Sequence, residues 1–265
     1  MIKGPQTYIT TSWDDGHPLD LRVAELLVKH GLSGTFYVPM SAENATMPAA
    51  QIRELSCEFE IGAHTLNHTV LTSTTEQGAK DEIFNSRHWL EDVTGQPCTM
   101  FCPPKGEYLG KHLEMIRRAG FVGVRNVELG SLDFPRPFGG IMLLPTTIQA
   151  FSHGHLAFVR NAIKRAAFES LWRFVAHGRS TDWPTLAASL LRRALKCGGV
   201  FHLWGHSWEL ERTAQWQRLD AVMRFMAACT SEAPACTNGQ ICRRNQPVTS
   251  LGSELASGDR FSWGK

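Results

Sequence analysis

The sequence alternates short apolar segments with longer segments of helical periodicity, and this alternation restricts the possible folds more than any other feature. Residues 8–13 (YITTSW) are β-branched and aromatic, as in a buried strand. Residues 19–30 follow, with apolar side chains at helical spacing and Gly31 as a stop signal. Repetition of this order along the chain predicts an α/β fold with a parallel sheet.

The same criteria predict elements over nearly the whole chain. Strands are predicted at residues 8–13, 34–38, 60–63, 99–102, 121–124, 141–150, 198–204 and 235–241. Helices are predicted at residues 19–30, 48–55, 75–93, 112–119, 156–176, 183–196 and 210–229, and a loop rich in glycine and proline at 128–140. No linker interrupts this pattern, so we expect one barrel-sized domain over residues 1–245 and a loosely ordered tail at 246–265.

Composition excludes several classes of protein. With 43% hydrophobic and 20% charged residues, the chain is neither disordered nor fibrous. A net charge of +2 gives no reason to expect a nucleic acid partner. No apolar run reaches the roughly 18 residues of a membrane span, and the N-terminal residues lack the apolar stretch of a signal peptide. Seven cysteines without a C-x-x-C spacing indicate reduced thiols, so we expect a cytoplasmic protein.

Polar clusters recur where predicted strands end. They lie at residues 12–17 (SWDDGH), 62–68 (GAHTLNH), 102–106 (CPPKG) and 202–207 (HLWGHS). Because the carboxyl ends of parallel strands converge on one face of an α/β fold, four such clusters predict a single site.

Two of these clusters have the composition of a hydrolytic metal site. Asp14 and Asp15 are adjacent at a strand end, where one carboxylate can bind a metal while the other acts as a base. His64 and His68 are four residues apart, so a helical turn there would direct both imidazoles at one cation. Alone, an Asp-Asp-Gly is most often a turn and an H-x-x-x-H most often structural. Together at strand ends they favour two histidines and one carboxylate on a metal that keeps an open position for water.

These motifs resemble those of a known family. Residues 11–16 (TSWDDG) are similar to T-F-D-D-G, residues 64–68 (HTLNH) match H-[ST]-x-x-H, and residues 101–106 (FCPPKG) are similar to F-R-P-P-Y-G. Residues 203–206 (LWGH) resemble a late strand that carries a catalytic histidine. In this order, over about residues 8–241, the motifs resemble the polysaccharide deacetylase family, which is also called the NodB-homology family or carbohydrate esterase family 4.

The resemblance implies a fold and a cofactor. The family fold is a distorted (β/α) barrel of about seven parallel strands, in agreement with the alternation described above. The family site holds one divalent metal ion, usually zinc, and by resemblance its ligands here are Asp15, His64 and His68.

The resemblance also implies catalytic roles. Asp14 corresponds to the general base, His206 to the general acid, and the backbone N–H of Lys105 to the donor that stabilises the oxyanion. These roles suit amide hydrolysis, because the attacking water must lose a proton and the departing amine must gain one. A bound metal polarises the carbonyl and lowers the pKa of its water to about 7.

The chain departs from the family pattern at position 102. The family has an arginine there that steadies the base, whereas this chain has Cys102, whose thiol cannot make a forked, charged contact. Arg125, at the end of the next predicted strand, is the candidate substitute, and a surface arginine is the equally weighted alternative. Cys102 itself is expected to be an inert buried thiol.

The acidic residue that tunes the catalytic histidine has two candidates. Asp133 lies in the loop at 128–140, and Glu209 follows His206 by three residues. His202 shares a strand face with His206, and we favour a role in the core over one in the site. We further predict that four residues flanking the motifs contact the substrate, namely Trp13, Pro104, Tyr108 and Trp204. His17 is expected at the rim of the site.

Residues 151–179 carry five basic side chains and one acidic side chain among apolar ones. This pattern is typical of an amphipathic outer helix with a solvated face. It would also suit a docking face for an anionic substrate carrier, either a diphosphate lipid or a nucleotide diphosphate.

These observations lead to one expected function and two alternatives. We expect a metal-dependent hydrolase that removes an N-acyl group, most simply acetyl, from an amino sugar in a surface-polysaccharide or lipopolysaccharide precursor. One alternative is a related amide hydrolase acting on a non-sugar C–N bond. The other, motivated by Cys102, is a catalytically silent barrel that binds carbohydrate.

Overall fold

The computed structural model describes residues 6–151 and 182–247, and these residues follow the predicted alternation of strands and helices. The strands are β1 (Thr7–Asp14), β2 (Thr35–Val38), β3 (Glu60–Ala63), β4 (Met100–Phe101), β5 (Gly123–Arg125), β6 (Arg136–Phe138), β7 (Ile141–Leu144), β8 (Ile148–Gln149) and β9 (Gly199–Gly205). The helices are α1 (Asp20–His30), α2 (Ala49–Leu55), α3 (Glu76–Thr94), α4 (Gly110–Arg118), α5 (Trp183–Cys197), α6 (Ser207–Arg212), α7 (Trp216–Ala228) and α8 (Asn238–Arg244).

The strands of the described residues form one sheet in the order β6-β7-β5-β4-β3-β2-β1-β9-β8. β6 pairs antiparallel with β7, and all other neighbouring strands pair in parallel. β1 lies between β2 and β9, and its register with β9 sets Trp13 opposite Gly205. The parallel strands therefore bring the predicted polar clusters to a single edge of the sheet.

A short connection shows that this sheet is strongly curled. β7 and β8 lie near opposite ends of the strand order, yet only residues 145–147 separate them along the chain. Four residue steps span at most about 14 Å, so the two ends of the sheet lie close together. Thr147 links them, because its N–H donates to the carbonyl of His202 (3.0 Å) and its carbonyl accepts from the N–H of Gly130 (2.8 Å). The predicted distorted (β/α) barrel is thus confirmed, with nine strands among the described residues instead of about seven.

Side chains alternate between the two faces of the curled sheet and form two apolar clusters. The outer cluster lies under the helices and includes Ile9 and Trp13. The inner cluster includes Tyr8 and Tyr37. Asp14 has the same parity as Tyr8 along β1, so the strand directs its carboxylate towards the interior.

Helix α8 covers the N-terminal ends of the strands, at the opposite end of the barrel from the polar clusters. Its first residue, Asn238, is fully buried, and its side-chain amide donates to Thr10 Oγ1 (2.9 Å). The Asn238 backbone N–H donates to Thr35 Oγ1 (3.0 Å), and its Oδ1 accepts from the Tyr37 hydroxyl (2.9 Å). This end of the barrel is therefore held shut by polar contacts within the core.

The predicted strand at 235–241 is wrong. Its only strand-like feature within the described residues is an isolated bridge between Ile9 and Ala235. Helix α8 begins directly afterwards, because the Thr237 side chain accepts from the Gln240 N–H and the Gln240 side chain accepts from the Thr237 N–H. This reciprocal capping box stabilises a helix start.

Two other predicted elements are divided. The predicted strand at 141–150 is interrupted after β7 by Pro145, which has no N–H for a sheet ladder. The predicted helix at 210–229 is broken into α6 and α7, with Ala214 between them at a left-handed φ of 53°. An L-residue in that conformation does not continue a right-handed helix.

The predicted loop at 128–140 contains a short strand, β6, which forms a hairpin with β7. The turn consists of Gly139 and Gly140, with φ values of 53° and 87°. Positive φ at both central residues is the geometry that a two-residue hairpin turn requires.

Some predictions concern residues outside the described part of the chain. These are the helix at 156–176 and residues 248–265 of the expected tail. The single domain over residues 1–245 stays a prediction. None of the described helices combines the length and the apolar character that a bilayer crossing needs.

Candidate active site

The end of β1 sets the two aspartates at different angles. Asp14 is the last residue of the strand and points inwards, whereas Asp15 and Gly16 turn away with left-handed φ values of 78° and 61°. A Cβ on Gly16 would lie 2.6 Å from Val38 Cγ1, so only glycine fits this turn. The Asp-Asp-Gly turn therefore directs the two carboxylates differently, as two distinct roles would require.

Both histidines of the H-x-x-x-H motif face Asp15. His64 Nε2 lies 3.5 Å and His68 Nε2 3.2 Å from Asp15 Oδ1. The Nδ1 of His64 donates to the carbonyl of Cys102 (2.6 Å), so Nε2 is the ring nitrogen that faces Asp15. The two imidazoles converge without a helical turn, because the segment after β3 is irregular and has left-handed φ at Thr65 (60°) and His68 (55°).

These three side chains fit a divalent metal ion. Asp15, His64 and His68 each offer a ligand atom, and the three atoms lie within 4.8 Å of one another. Two imidazoles and one carboxylate form a ligand set that zinc accepts in hydrolytic sites, and a carbonyl bonded to the second ring nitrogen, as at His64, is the usual support for such a ligand. Burial alone would raise the pKa of Asp15. The hydrogen bonds with His64 and His68 outweigh burial, so the pKa of Asp15 is lowered.

A second group with the same spacing, Asp14, His64 and Cys102, is a poorer metal site. The Arg125 guanidinium already bonds Asp14, so a cation bound there would lie next to a positive charge. Burial also raises the pKa of the Cys102 thiol, which disfavours the thiolate that a metal needs.

Arg125 holds the carboxylate of Asp14. It is the last residue of β5, it is fully buried, and its Nη2 donates to both oxygens of Asp14. The guanidinium carbon lies 5.2 Å from the ring centre of Tyr37 and 4.9 Å from that of Trp204. Burial acts to lower the pKa of Arg125, but the charge of Asp14 outweighs it and the pKa is raised. Arg125 is thus a buried cation beside Asp14 and not a surface arginine.

His206 follows β9 and forms a pair with Glu209. Its Nδ1 donates to Glu209 Oε2 (2.7 Å), which also accepts from Gln149 Nε2 (2.8 Å). Its Nε2 lies 4.0 Å from Asp15 Oδ2. Burial acts to lower the pKa of His206, but the bond to Glu209 and the charges of Asp15 and Asp14 raise it to about 9. His206 is therefore a cation near neutral pH, as a general acid must be.

Glu209 and not Asp133 is the carboxylate beside the histidine. Asp133 accepts from the Ser131 hydroxyl within its own loop (2.8 Å). His202 has a core position, as favoured from the sequence, because its Nδ1 donates to the Pro145 carbonyl (3.1 Å) and its Nε2 accepts from Ser12 (2.8 Å). Burial, assisted by the charge of Arg125, lowers the pKa of His202 to about 3 and keeps it neutral.

The four predicted substrate contacts have different positions. Trp13 is fully buried in the outer cluster and offers no surface to a substrate, because β1 turns it away from Asp14. Pro104 is buried and Tyr108 half-buried, both in the segment after β4. Trp204 is 7% exposed and packs edge-on against His206, with ring centres 5.6 Å apart.

Lys105 and His17 lie in the loops at this edge. Lys105 follows β4 with an exposed side chain and a left-handed φ of 56°. The role of its backbone N–H stays a prediction. His17 is half-buried, and its Nδ1 accepts from the Leu19 N–H (3.1 Å), so the ring supports the turn after β1.

Trp208 is a site residue that the sequence patterns did not indicate. It is half-buried in the first turn of α6, and its Nε1 donates to Asp15 Oδ2 (2.9 Å). Its ring centre lies 5.4 Å from that of His206. In the sequence, the one feature that could have indicated a role for Trp208 is its position two residues after His206.

The sequence matches a family model. Residues 2–124 match the model described as polysaccharide deacetylase. A curated relative, a peptidoglycan-N-acetylglucosamine deacetylase of Bacillus cereus, is 25% identical over 120 residues, which are 44% of this chain and 43% of that protein. The match thus spans less than half of the length of the curated relative.

Solved structures share the fold. A Mycobacterium smegmatis protein named as a polysaccharide deacetylase is 17% identical, with a TM-score of 0.65 over 96% of this chain and 97% of that one. A peptidoglycan N-acetylglucosamine deacetylase is 17% identical, with a TM-score of 0.56 over 90% of each chain. A Bacillus anthracis pseudoenzyme of carbohydrate esterase family 4 is 12% identical, with a TM-score of 0.52 over 91% of this chain and 66% of that one. At these identities the structures establish a common fold, and the sequence match over residues 2–124 confirms the resemblance to the polysaccharide deacetylase family.

Proposed function

We propose that this protein is a metal-dependent N-deacetylase that releases acetate from an N-acetylated amino sugar. The observation that supports this most strongly is the convergence of three groups at one sheet edge. Asp15, His64 and His68 form the ligand set, the neighbouring Asp14 is paired with Arg125, and His206 approaches Asp15 from the end of β9.

The residues divide the proton transfers of amide hydrolysis between them. A divalent ion held by Asp15, His64 and His68 would polarise the acyl carbonyl and activate a water molecule. Asp14 takes up the proton of the water that adds to the acyl carbon. His206 gives its proton to the departing nitrogen, so the C–N bond breaks to leave a free amine and a carboxylate.

Two buried neighbours support these transfers. Arg125 donates to both oxygens of Asp14 and holds that carboxylate in place at the end of β1. Glu209 accepts from His206 Nδ1, so the other ring nitrogen, Nε2, faces Asp15 and the proposed reaction centre. A backbone N–H at Lys105 would meet the oxyanion as it forms.

The substrate class is part of the proposal. The curated relative acts, by its name, on N-acetylglucosamine of peptidoglycan, which supports an N-acetylated amino sugar here. The sugar would belong to a surface polysaccharide or to a lipopolysaccharide precursor. The carrier-docking hypothesis rested on residues 151–179, of which only Phe151 is described, and nothing else in the described residues supports it.

Two further elements belong to the proposal. Zinc is the proposed metal, because two imidazoles and one carboxylate suit it. A cytoplasmic location is proposed from the cysteines, all seven of which are free thiols. The alternative of a catalytically silent barrel was based on the missing arginine at position 102. Arg125 supplies a guanidinium beside Asp14, which argues against that alternative. A non-sugar amide hydrolase would use the same residues and differ only in substrate.

The test is acetate release from a panel of N-acetylglucosamine oligomers, peptidoglycan and a non-sugar acetamide. We expect wild-type protein to release acetate from the sugars, and Asp14→Asn to be slower by about 10²–10⁴-fold because the base is lost. Asp220→Asn is the matched control, since Asp220 forms a surface pair with Lys29. Full activity in Asp14→Asn would refute the assignment, and activity on the acetamide alone would change the substrate class.

A further inference from the structure

The carboxylate of Asp15 has two oxygens with separate partners. Oδ1 faces the two imidazoles, 3.2 Å from His68 Nε2 and 3.5 Å from His64 Nε2. Oδ2 points the other way and accepts from Trp208 Nε1 at 2.9 Å. An indole N–H can only donate, so Oδ2 is the oxygen that accepts from Trp208. Oδ1 is the oxygen that faces the two histidines.

The backbone of Asp15 gives the carboxylate little intrinsic preference for this orientation. Asp15 has a φ of 78°, a conformation that non-glycine residues seldom adopt and that persists only when the surroundings enforce it. Its neighbour Gly16 adds conformational freedom in place of restraint. The hydrogen bond from Trp208 Nε1 restrains the direction of Oδ2 in this turn.

Trp208 is itself well fixed. It lies in the first turn of α6, and its ring centre is 5.4 Å from that of His206, with the two planes tilted by 37°. The Arg212 guanidinium carbon lies 4.9 Å from the centre of the same ring. An indole packed between these groups presents its N–H in a fixed direction, as a hydrogen-bonding support for a metal ligand should.

We propose that Trp208 is a positioning residue that orients Asp15 so that one carboxylate oxygen faces His64 and His68 and the other is withheld from the metal. This inference rests on the proposed metal-binding function. It assigns Trp208 a role through its N–H, distinct from the packing of its ring against His206. Trp208 thereby contacts both the proposed metal ligand Asp15 and the proposed general acid His206.

The test is the affinity of the chelator-treated protein for Zn²⁺, measured by competition with a chromophoric chelator. Trp208→Phe keeps an aromatic ring and loses the N–H, so we expect the Kd for Zn²⁺ to rise about 10–100-fold, as for other losses of a ligand's hydrogen-bonding support. A second variant, Trp208→Leu, carries the same expectation, so the test does not depend on the folding of one substitution.

Trp216→Phe is the matched control. The Trp216 Nε1 also donates to a carboxylate, that of Glu211, and the Arg22 guanidinium lies 4.2 Å from the centre of its ring. We expect its Zn²⁺ affinity to equal that of the wild type. Wild-type affinity in folded Trp208→Phe and Trp208→Leu would overturn the role of Trp208 and leave the proposed function standing. Absence of Zn²⁺ binding by the wild type would overturn both.

Discussion

Glu209 sets the protonation of His206, and only part of this pair could be read from the sequence. Spacing made Glu209 one of two candidates, because three residues separate it from His206 on the chain. The structure decides between them through the 2.7 Å bond from His206 Nδ1. Gln149 could not be foreseen as a second donor to Glu209, since the pairing of β8 with β9 that brings it there is not visible in the sequence.

The pH dependence of the reaction follows from this pair. The general acid must be protonated, and the pKa of His206 is raised to about 9, so kcat/KM should decline above about pH 9. Glu209→Gln removes the negative charge that favours the imidazolium and so lowers the pKa. We expect the basic limb of the pH profile to move to lower pH by about 1–2 units.

The control for this shift is Glu211→Gln on the same helix, where Glu211 forms a surface pair with Arg22. Its pH profile should match that of the wild type. An unchanged basic limb in Glu209→Gln would show that His206 does not act as the acid or that Glu209 does not tune it.

Trp208 lay beyond the reach of pattern analysis for a physical reason. Its contact with Asp15 joins residues 193 positions apart, and it depends on the angle at which α6 leaves β9. Sequence spacing gives neither the angle of a helix nor the direction of an indole. In contrast, Asp15 and His64 were predictable because each directly follows a strand, and His68 because it lies four residues after His64.

At the scale of elements, the guanidinium beside the base comes from β5, whereas the family pattern has it in the segment after β4. Both segments end at the same sheet edge, and Phe101 pairs with Val124 in register, so Cys102 and Arg125 occupy neighbouring positions. Strand ends could be predicted, and with them the candidate Arg125. Register and burial could not, and they decide between a buried partner of Asp14 and a surface arginine.

Removal of this guanidinium should affect both stability and rate. Arg125→Met leaves the Asp14 carboxylate buried without its partner, which we expect to lower the free energy of unfolding by about 3–5 kcal/mol. Loss of the orientation of Asp14 should lower kcat by about 100-fold. Urea denaturation and acetate release measure the two effects.

Arg136→Met serves as the control, because Arg136 forms an exposed pair with Glu128, for which about 0–1 kcal/mol is expected. Wild-type stability and rate in Arg125→Met would contradict the pairing with Asp14.

Elements were mispredicted where a local capping or turn preference outweighed apolar composition. Helix α8 begins with the capping box of Thr237 and Gln240, a spacing visible in the sequence but overlooked beside the apolar residues around it. The spacing of His64 and His68 suits a helical turn, yet residues with left-handed φ shape the segment after β3. Such residues are enforced by surroundings distant in sequence, so neither spacing nor propensity reveals them.

At the scale of the molecule, the site exists because the sheet is curled and parallel. β1 pairs with β9 from Thr7 to Trp13, with Trp13 opposite Gly205, so Asp14 and His206 follow neighbouring strand positions although they are 192 positions apart in the sequence. The sequence predicted that the strand ends share an edge. It did not contain the strand order, which arises from packing the whole chain.

The central claim is that these strand ends build one metal centre, and the most direct measurement is the number of Zn²⁺ ions bound per chain at equilibrium. We expect one tightly bound ion in the wild type and in His88→Ala, whose histidine is exposed on α3. We expect none in Asp15→Asn or His68→Ala, because each removes a ligand. A wild type without bound Zn²⁺, or retention of the ion by both ligand variants, would contradict the account.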